Sequence, residues 1–238
     1  MQHYFGTIVS GKAILEGSQI HHLINVKRAQ VGEKIEVTDD GDTYLCLIQA
    51  IDPPEILVLE KLKDRRELDI HITLAFAALK GDHNDLIVLK GTELGVDSFV
   101  PFVSKRCVVQ PKEKEDNKIL RYRKIASEGA AQCRRNAIPT VSGYLDFSEV
   151  VKLEADLKLF AYEGMAGGSD SILEYAKSLK RGQTVLLVIG PEGGFGHEEA
   201  RLALDYDFQL VSLGRRILRA ETAALYGASV LAAFGEEG

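Results

Sequence analysis

From His71 onward, short apolar runs alternate with amphipathic stretches in the rhythm of an α/β domain. Extended segments are predicted at His71–Ala77, Ser98–Val103, Leu157–Ala161, Thr184–Ile189 and Gln209–Leu213. Helices are predicted at Asp82–Leu94, Asn117–Gln132, Ser169–Ser178, His197–Tyr206 and Glu221–Phe234, with Gly95 placed to close the first as a left-handed cap. Residues 1–70 read differently. Lys34–Asp39 alternates, Asp40-Gly41-Asp42 makes a turn, Thr43–Ile51 is a second extended run, Pro53-Pro54 stops it, and Ile56–Lys61 is a third. That pattern predicts a small antiparallel sheet or barrel, and the charged stretch Lys61–Asp69 reads as the link onward. Two domains are expected, 1–68 and 69–238.

Some features keep two readings. His21-His22 follow a turn and suit a solvated helix start. The small residues of the last helix (ETAALYGASVLAAF) allow close approach by another helix or a loop, at a dimer seam or a ligand wall; they also mark a good helix former. His197 can simply begin a helix, and Cys46 suits a core.

Composition narrows the class. The chain has 238 residues, 45% hydrophobic and 27% charged, enough to bury a sizeable core. No apolar run reaches membrane-span length, and Met1-Gln2-His3-Tyr4-Phe5 has neither a basic nor an apolar leader region, so neither a span nor a signal peptide is expected. Cys46, Cys107 and Cys133 are too few and too widely spaced for a disulfide framework or a zinc quartet, and the expected setting is the reducing cytoplasm. No metal-ligand cluster is visible.

The net charge of −6 hides an uneven distribution. Residues 71–139 carry 12 Lys/Arg against 8 Asp/Glu, whereas both flanking regions are acidic. Most of the excess lies between Lys105 and Arg135: Lys105, Arg106, Lys112, Lys114, Lys118, Arg121, Arg123, Lys124, Arg134 and Arg135. Local field rather than net charge attracts a polyanion. The same residues, balanced by Glu113, Glu115, Asp116 and Glu128, could equally form a solvated helix face.

Two segments carry the chemistry. Thr184–Ile189 is a buried strand running into Gly190-Pro191-Glu192-Gly193-Gly194-Phe195-Gly196, four glycines in seven residues, and then an acidic helix start at Glu198-Glu199. Loops at the carboxyl ends of strands are where open α/β sheets bind ligands. The segment lacks the Gly-Lys-Ser/Thr of a phosphate loop, and Pro191 and Glu192 break the dinucleotide pattern. Its acids favour a neutral or cationic, adenosine-like ligand; a plain helix-entry turn is the other reading. The second segment, Val211-Ser212-Leu213-Gly214-Arg215-Arg216-Ile217-Leu218-Arg219-Ala220-Glu221-Thr222-Ala223, again runs strand, glycine turn, helix. Arg215, Arg216 and Arg219 cluster before Glu221-Thr222, which are placed to cap the terminal helix.

Together these segments resemble the paired C-terminal motifs of the ribosomal RNA small subunit methyltransferase E family, in the SPOUT (trefoil-knot) superfamily. Lys80-Gly81-Asp82, Lys90-Gly91-Thr92-Glu93-Leu94-Gly95-Val96, Arg106, Glu128, Gln132, Arg135-Asn136 and Pro139 agree with it. The match extends from about residue 2 to 234. The chain departs from the family's usual residues at His83, Leu89, Gly129 and Ala131.

The resemblance implies an N-terminal PUA-like β-barrel for RNA and a C-terminal knotted α/β domain for S-adenosylmethionine. It also implies a homodimer, and methylation of N3 of one uridine in 16S rRNA of the small ribosomal subunit. Cofactor contacts are expected from Ile189, Gly190, Pro191, Glu192, Gly194, Leu213, Gly214, Ile217, Leu218 and Thr222, largely through backbone groups. Arg219 is expected to stabilise charge developing on the uracil, with Glu128 and Glu221 as candidate bases; either carboxylate could instead be structural. Arg106, Arg123, Arg134 and Arg135 are expected to grip phosphates. The rival readings are a non-catalytic RNA-binding assembly factor and a small-molecule enzyme with an adenosine cofactor.

Overall fold

The computed structural model describes residues 1–109, 115–162 and 170–236. Lys112, Glu113 and Lys114 of the basic segment, and Ser169 of the predicted fourth helix, lie outside them. The chain divides into two compact units: Met1–Glu67 with Ala130–Ile138, and Leu68–Gly129 with Pro139–Gly238.

The first unit is a six-stranded sheet built from β1 (Gln2–Phe5), β2 (Thr7–Val9), β3 (Lys12–Ile14), β4 (Lys34–Asp39), β5 (Asp42–Ile51) and β6 (Pro54–Lys61), in the order β1-β4-β5-β6-β3-β2. The predicted turn is a two-residue hairpin in which Asp40 and Gly41 both have positive φ (45° and 85°) and Asp39 pairs with Asp42. Ser10-Gly11 (φ 49° and 78°) joins β2 to β3 in the same way. The sheet is mixed rather than antiparallel throughout, because β1 runs parallel to β4. Its core is Tyr4, Leu15, Leu23, Ile35, Val37, Cys46, Ile48 and Ile56. His21 falls in the last turn of a short helix, α1 (Gly17–His21), rather than at a helix start, and His22 opens a π-turn over His22–Val26 that buries Leu23; both histidines are exposed.

The Ala130–Ile138 segment is bound to this unit by buried polar contacts. The Asn136 side chain donates to Thr43 Oγ1 (2.9 Å) and accepts from the Arg66 N–H (2.6 Å). Glu67 accepts from the Asn136 N–H (2.8 Å) and holds the Arg135 guanidinium through Nε (2.9 Å) and Nη2 (2.5 Å). Buried polar groups must find partners, and here they find them across long sequence separations.

The second unit is a parallel sheet of β7 (His71–Ala77), β8 (Ser98–Val103), β9 (Thr140–Val141), β10 (Leu145–Asp146), β11 (Leu157–Ala161), β12 (Asp170–Ser171), β13 (Thr184–Ile189) and β14 (Gln209–Ser212). The order is β10-β8-β7-β13-β11-β14-β12, with β9 beside β8. Side chains alternate across the strands, so the sheet has two apolar faces. Ile72, Leu74, Phe76, Val185, Leu187 and Ile189 face α2 (His83–Glu93), α3 (Glu115–Cys133), α5 (Ile172–Ala176) and α7 (Ala220–Gly235). Ala75, Ala77, Leu186 and Val188 face α4 (Phe147–Val150) and α6 (His197–Asp205), where Phe102, Phe147, Phe160, Phe195 and Phe208 gather.

The small residues of α7 serve close packing. A Cβ on Gly227 would lie 2.6 Å from Leu187, and one on Gly235 would lie 2.7 Å from Ile70. Gly95 takes φ +86° after α2, as its position predicts. Glu221-Thr222 do not cap α7: Arg219 occupies that position without a side-chain cap, and Glu221 falls in the first turn, where a carboxylate favours the helix dipole.

Candidate active site at the carboxyl edge of the parallel sheet

Strand β13 lies between β7 and β11, and β11 lies between β13 and β14, all parallel. Parallel neighbours share a carboxyl edge. The glycine loop after β13 and the arginine loop after β14 therefore leave the same edge, one strand apart, or roughly 10 Å at the usual strand spacing.

The first loop is fixed from several sides. Gly190 passes so close to Phe195 that a Cβ would come 2.8 Å from its ring. Phe195 is buried, its ring centre 4.2 Å from Phe160 and 5.4 Å from Phe147. Gly194 (φ +63°) donates its N–H to the Pro191 carbonyl (2.9 Å), closing a turn that L-residues resist. The Glu192 carboxylate accepts from the Lys80 N–H at the end of β7 (3.1 Å). After β8, Arg106 donates to the carbonyls of Gly193 (3.1 Å) and Phe195 (3.3 Å). Buried Glu199 accepts from the N–H groups of Gly196 (2.8 Å) and Lys105 (3.2 Å). At the rim, the Lys105 ammonium pairs with Glu198, which raises the lysine pKa and lowers that of the carboxylate.

The second loop is open. Gly214 has φ +117°, and its N–H donates to Ser212 Oγ (3.2 Å). Leu213 and Leu218 pack against the core while Ile217 is 84% exposed. Among the described residues, no backbone hydrogen bond outside the helices and strands begins or ends in residues 215–218. Among the described residues, no ion pair involves Arg215, Arg216 or Arg219, so three arginines close in sequence carry no carboxylate partner.

The remaining expected residues divide. Ile189 ends β13 and is buried, Pro191 is buried, and Thr222 is exposed on α7. The Glu221 side chain, 13% exposed, faces His83 Nδ1 at 3.6 Å. Glu128 is on α3 with its side chain 68% exposed and Lys124 3.8 Å away. Of the two candidate bases, the fold thus brings Glu221 to the loops and leaves Glu128 on a solvated helix face. Arg106 spends one nitrogen on the glycine loop rather than standing free for phosphate. Arg123 gives its Nε to the Val141 carbonyl (3.1 Å) and is otherwise exposed.

Arg134 (φ +62°) donates to the Met1 carbonyl (2.8 Å). Arg135 is a correction: it is 3% exposed and locked on Glu67, so it braces the first unit and offers nothing to a phosphate. Sequence reasoning passed over Phe195, Lys80, His83 and Glu199 as site residues. Only Glu199 carried a local signal, the spacing from Gly196 by which an acid reaches back to a helix start.

The chain matches the RNA methyltransferase domain model over residues 66–232 and the RNA methyltransferase PUA domain model over residues 15–61. It is 35% identical to the ribosomal RNA small subunit methyltransferase E of Bacillus subtilis, across 91% of this chain and 88% of that one. A putative methyltransferase from Legionella pneumophila, solved with the bound cofactor SAM, superposes with a TM-score of 0.85 at 31% identity, covering 98% of this chain and 96% of the other. A ribosomal RNA small subunit methyltransferase E from Neisseria gonorrhoeae bound to S-adenosyl methionine gives 0.85 at 25% identity, covering 97% and 96%. With both family models matched in order and the likeness running nearly end to end, the chain belongs to the ribosomal RNA small subunit methyltransferase E family.

Proposed function

We propose that the protein uses S-adenosylmethionine to methylate N3 of a specific uridine in 16S rRNA of the small ribosomal subunit. The observation that carries this reading is the convergence of two glycine-bearing loops on one sheet edge, beside three guanidiniums without an ion-pair partner among the described residues.

The residues present fit the cofactor. The backbone groups of residues 215–218 make no hydrogen bonds to one another or to the rest of the described loops, and the neighbouring Ile217 is uncovered. Such a stretch of open backbone suits an adenine, which needs donors and acceptors along one side and apolar contact on its face. Ile189, Gly190, Pro191, Glu192, Gly194, Leu213, Gly214, Ile217, Leu218 and Thr222 would hold it, and once bound it supplies an electrophilic methyl on a sulfonium. Glu192, with no cation paired to it among the described residues, suits that positive charge.

The chain's own part is to orient the base and manage charge. Uridine N3 lies on the pairing edge, so the target must be unpaired or flipped out. Arg219 stabilises negative charge on the uracil as N3 loses its proton. Arg106, Arg123 and Arg134 remain candidates for phosphate contact through their unused nitrogens. The first domain, 1–68, would hold RNA and the second, 69–238, the cofactor. A trefoil knot in the second domain, a homodimer and a cytoplasmic setting belong to the same reading; no helix of the described residues is long and apolar enough to cross a membrane, and none of their His, Cys, Asp and Glu side chains group as a metal site.

The test is nucleoside mass spectrometry of rRNA from cells with and without the gene, paired with calorimetry of the purified protein against S-adenosylmethionine. A 3-methyluridine signal that vanishes with the gene, together with measurable cofactor affinity, is expected. A signal that persists refutes the substrate. Absent cofactor affinity would support a non-catalytic RNA-binding factor.

A further inference from the structure

The methyl acceptor carries a proton that some group must take, and neither glycine loop, 190–196 or 213–219, contains a histidine. The fold brings one in from a third loop. Strand β7 ends at Ala77 beside β13, and the turn through Gly81 (φ +61°) leads directly into α2, whose first residue is His83. This turn is tied to the glycine loop by the Lys80 N–H on Glu192 (3.1 Å). It meets the arginine loop's helix where His83 Nδ1 faces Glu221 Oε1 at 3.6 Å. Three carboxyl-edge loops are thus linked by two polar contacts.

Glu221 stands two residues beyond Arg219, yet its ion-pair partner among the described residues is the imidazole and not an arginine. Other charged groups lie on the elements around the pair. On α2, Asp85 is taken by Arg121 of α3 (2.5 Å), which also lies 3.8 Å from Asp82. Lys80 and Glu192 flank the turn, and Arg215, Arg216 and Arg219 line the loop before α7. A nearly buried carboxylate on the Nδ1 side favours the tautomer with its hydrogen there, the form whose Nε2 carries the lone pair. The imidazole side chain is 44% exposed, within reach of a substrate and of water. A carboxylate orienting an imidazole is the arrangement by which histidine serves as a general base on unrelated folds. The 3.6 Å separation exceeds a hydrogen bond in the free protein, as such contacts often do before substrate is bound.

We infer that His83 is the general base of the methyl transfer and that Glu221 is its positioning residue; this rests on the uridine-N3 reading above. Uridine N3 gives its proton to His83 Nε2 and forms the new bond to the methyl carbon. The methyl–sulfur bond breaks with its electron pair on sulfur, leaving neutral S-adenosylhomocysteine and an imidazolium. The imidazolium then loses the proton to solvent.

The experiment is single-turnover methylation of small-subunit rRNA by the full chain, across the range from mildly acidic to mildly alkaline pH, for the wild type, His83→Gln, His83→Ala and Glu221→Gln, with cofactor affinity measured by calorimetry. For the wild type the rate should rise with pH and then level, because the base can take the N3 proton only in its unprotonated form. In His83→Gln the bend should disappear, and the rate should fall about 10²-fold or more near neutrality, the usual scale of general-base catalysis. That deficit should shrink toward the alkaline end, where uridine ionises unaided. Added imidazole should restore part of the rate to His83→Ala. Glu221→Gln should shift the bend while retaining part of the rate. Cofactor affinity should stay within about threefold throughout. If His83→Gln keeps the wild-type bend, or stays within about threefold of its rate, the base is another group. Loss of cofactor affinity with an unchanged bend assigns the pair to structure and overturns the inference equally. A wild type that produces no 3-methyluridine fails the proposed function itself, which separates the two failures.

Discussion

Arg106, three residues beyond β8, donates from a single guanidinium nitrogen to the carbonyl oxygens of both Gly193 and Phe195. One side chain thereby holds the loop between β13 and α6 from the segment after β8, at the same edge of the sheet. The loop's carbonyls would otherwise turn toward water, and the chain through four glycines has more freedom to lose than any other stretch. Arg106→Ala should weaken S-adenosylmethionine binding by about 1 kcal/mol, discounted for exposure, or roughly fivefold in Kd. Thermal stability should hardly change. Calorimetry on the purified variant decides it; unchanged affinity would mean the loop is rigid without the clamp.

The glycine loop and the α7 seam can be separated by two alanine substitutions. Gly190→Ala puts a methyl 2.8 Å from the Phe195 ring, and Gly227→Ala puts one 2.6 Å from Leu187. Overpacking of this kind costs about 1–3 kcal/mol, and each kcal/mol lowers Tm by roughly 2–4 °C in a domain of this size. Both variants should melt earlier. Only Gly190→Ala should also lose cofactor affinity, since its strain is released by moving the loop. Equal losses of affinity in the two would show that the loop is not the site.

Arg219 carries no ion-pair partner among the described residues and stands at the N-terminus of α7. Removing a donor aimed at developing charge lowers turnover by about 10²–10³-fold in other enzymes. Arg219→Ala should show that loss in single-turnover methylation while retaining wild-type cofactor affinity. Intact turnover would remove Arg219 from the chemistry.

His3 predicts a pH dependence of stability in the first unit. It is buried and bonded through Nε2 to Thr38 Oγ1 (2.8 Å). Burial lowers its pKa to about 4 from an ordinary 6.5, with Arg66 and Arg134 pushing the same way against Glu36. The unfolded chain takes up this proton near pH 6.5, whereas the folded chain resists until about pH 4. Stability is therefore complete above pH 6.5 and falls as the pH drops toward 4, by at most about 3 kcal/mol from this group. Urea titrations at about pH 7 and about pH 4.5, on either side of that fall, should show a smaller difference for His3→Gln than for the wild type. An identical difference in both would assign the acid sensitivity to other residues.

Much of the second unit could be read from residue pattern. The runs at Thr184–Ile189 and His71–Ala77 are apolar enough to be strands buried on both faces, and the two pair with each other in parallel over those same residues. The first unit was less legible. Gln2–Phe5 is too short and unpatterned to announce a strand, and it becomes one because Lys34–Asp39 lies parallel beside it. The same limit hid α4, a single turn at Phe147–Val150 held by the aromatic cluster it joins.

At the site, the glycine and arginine motifs were visible because a turn's chemistry is local: positive φ at Gly194 and Gly214 favours residues without a Cβ. Composition likewise disclosed that arginines gather before α7. Which arginines are free, and which are spent, depended on contacts that no spacing encodes. Arg135 looked like a phosphate ligand until Glu67 was found against it, and His83 acquired a role only through Glu221. Periodicity and turn residues follow from short-range sterics and burial, and these the chain specifies by itself. Pairings between distant charges follow from how the strands are ordered in the sheet, and only the folded structure settles that.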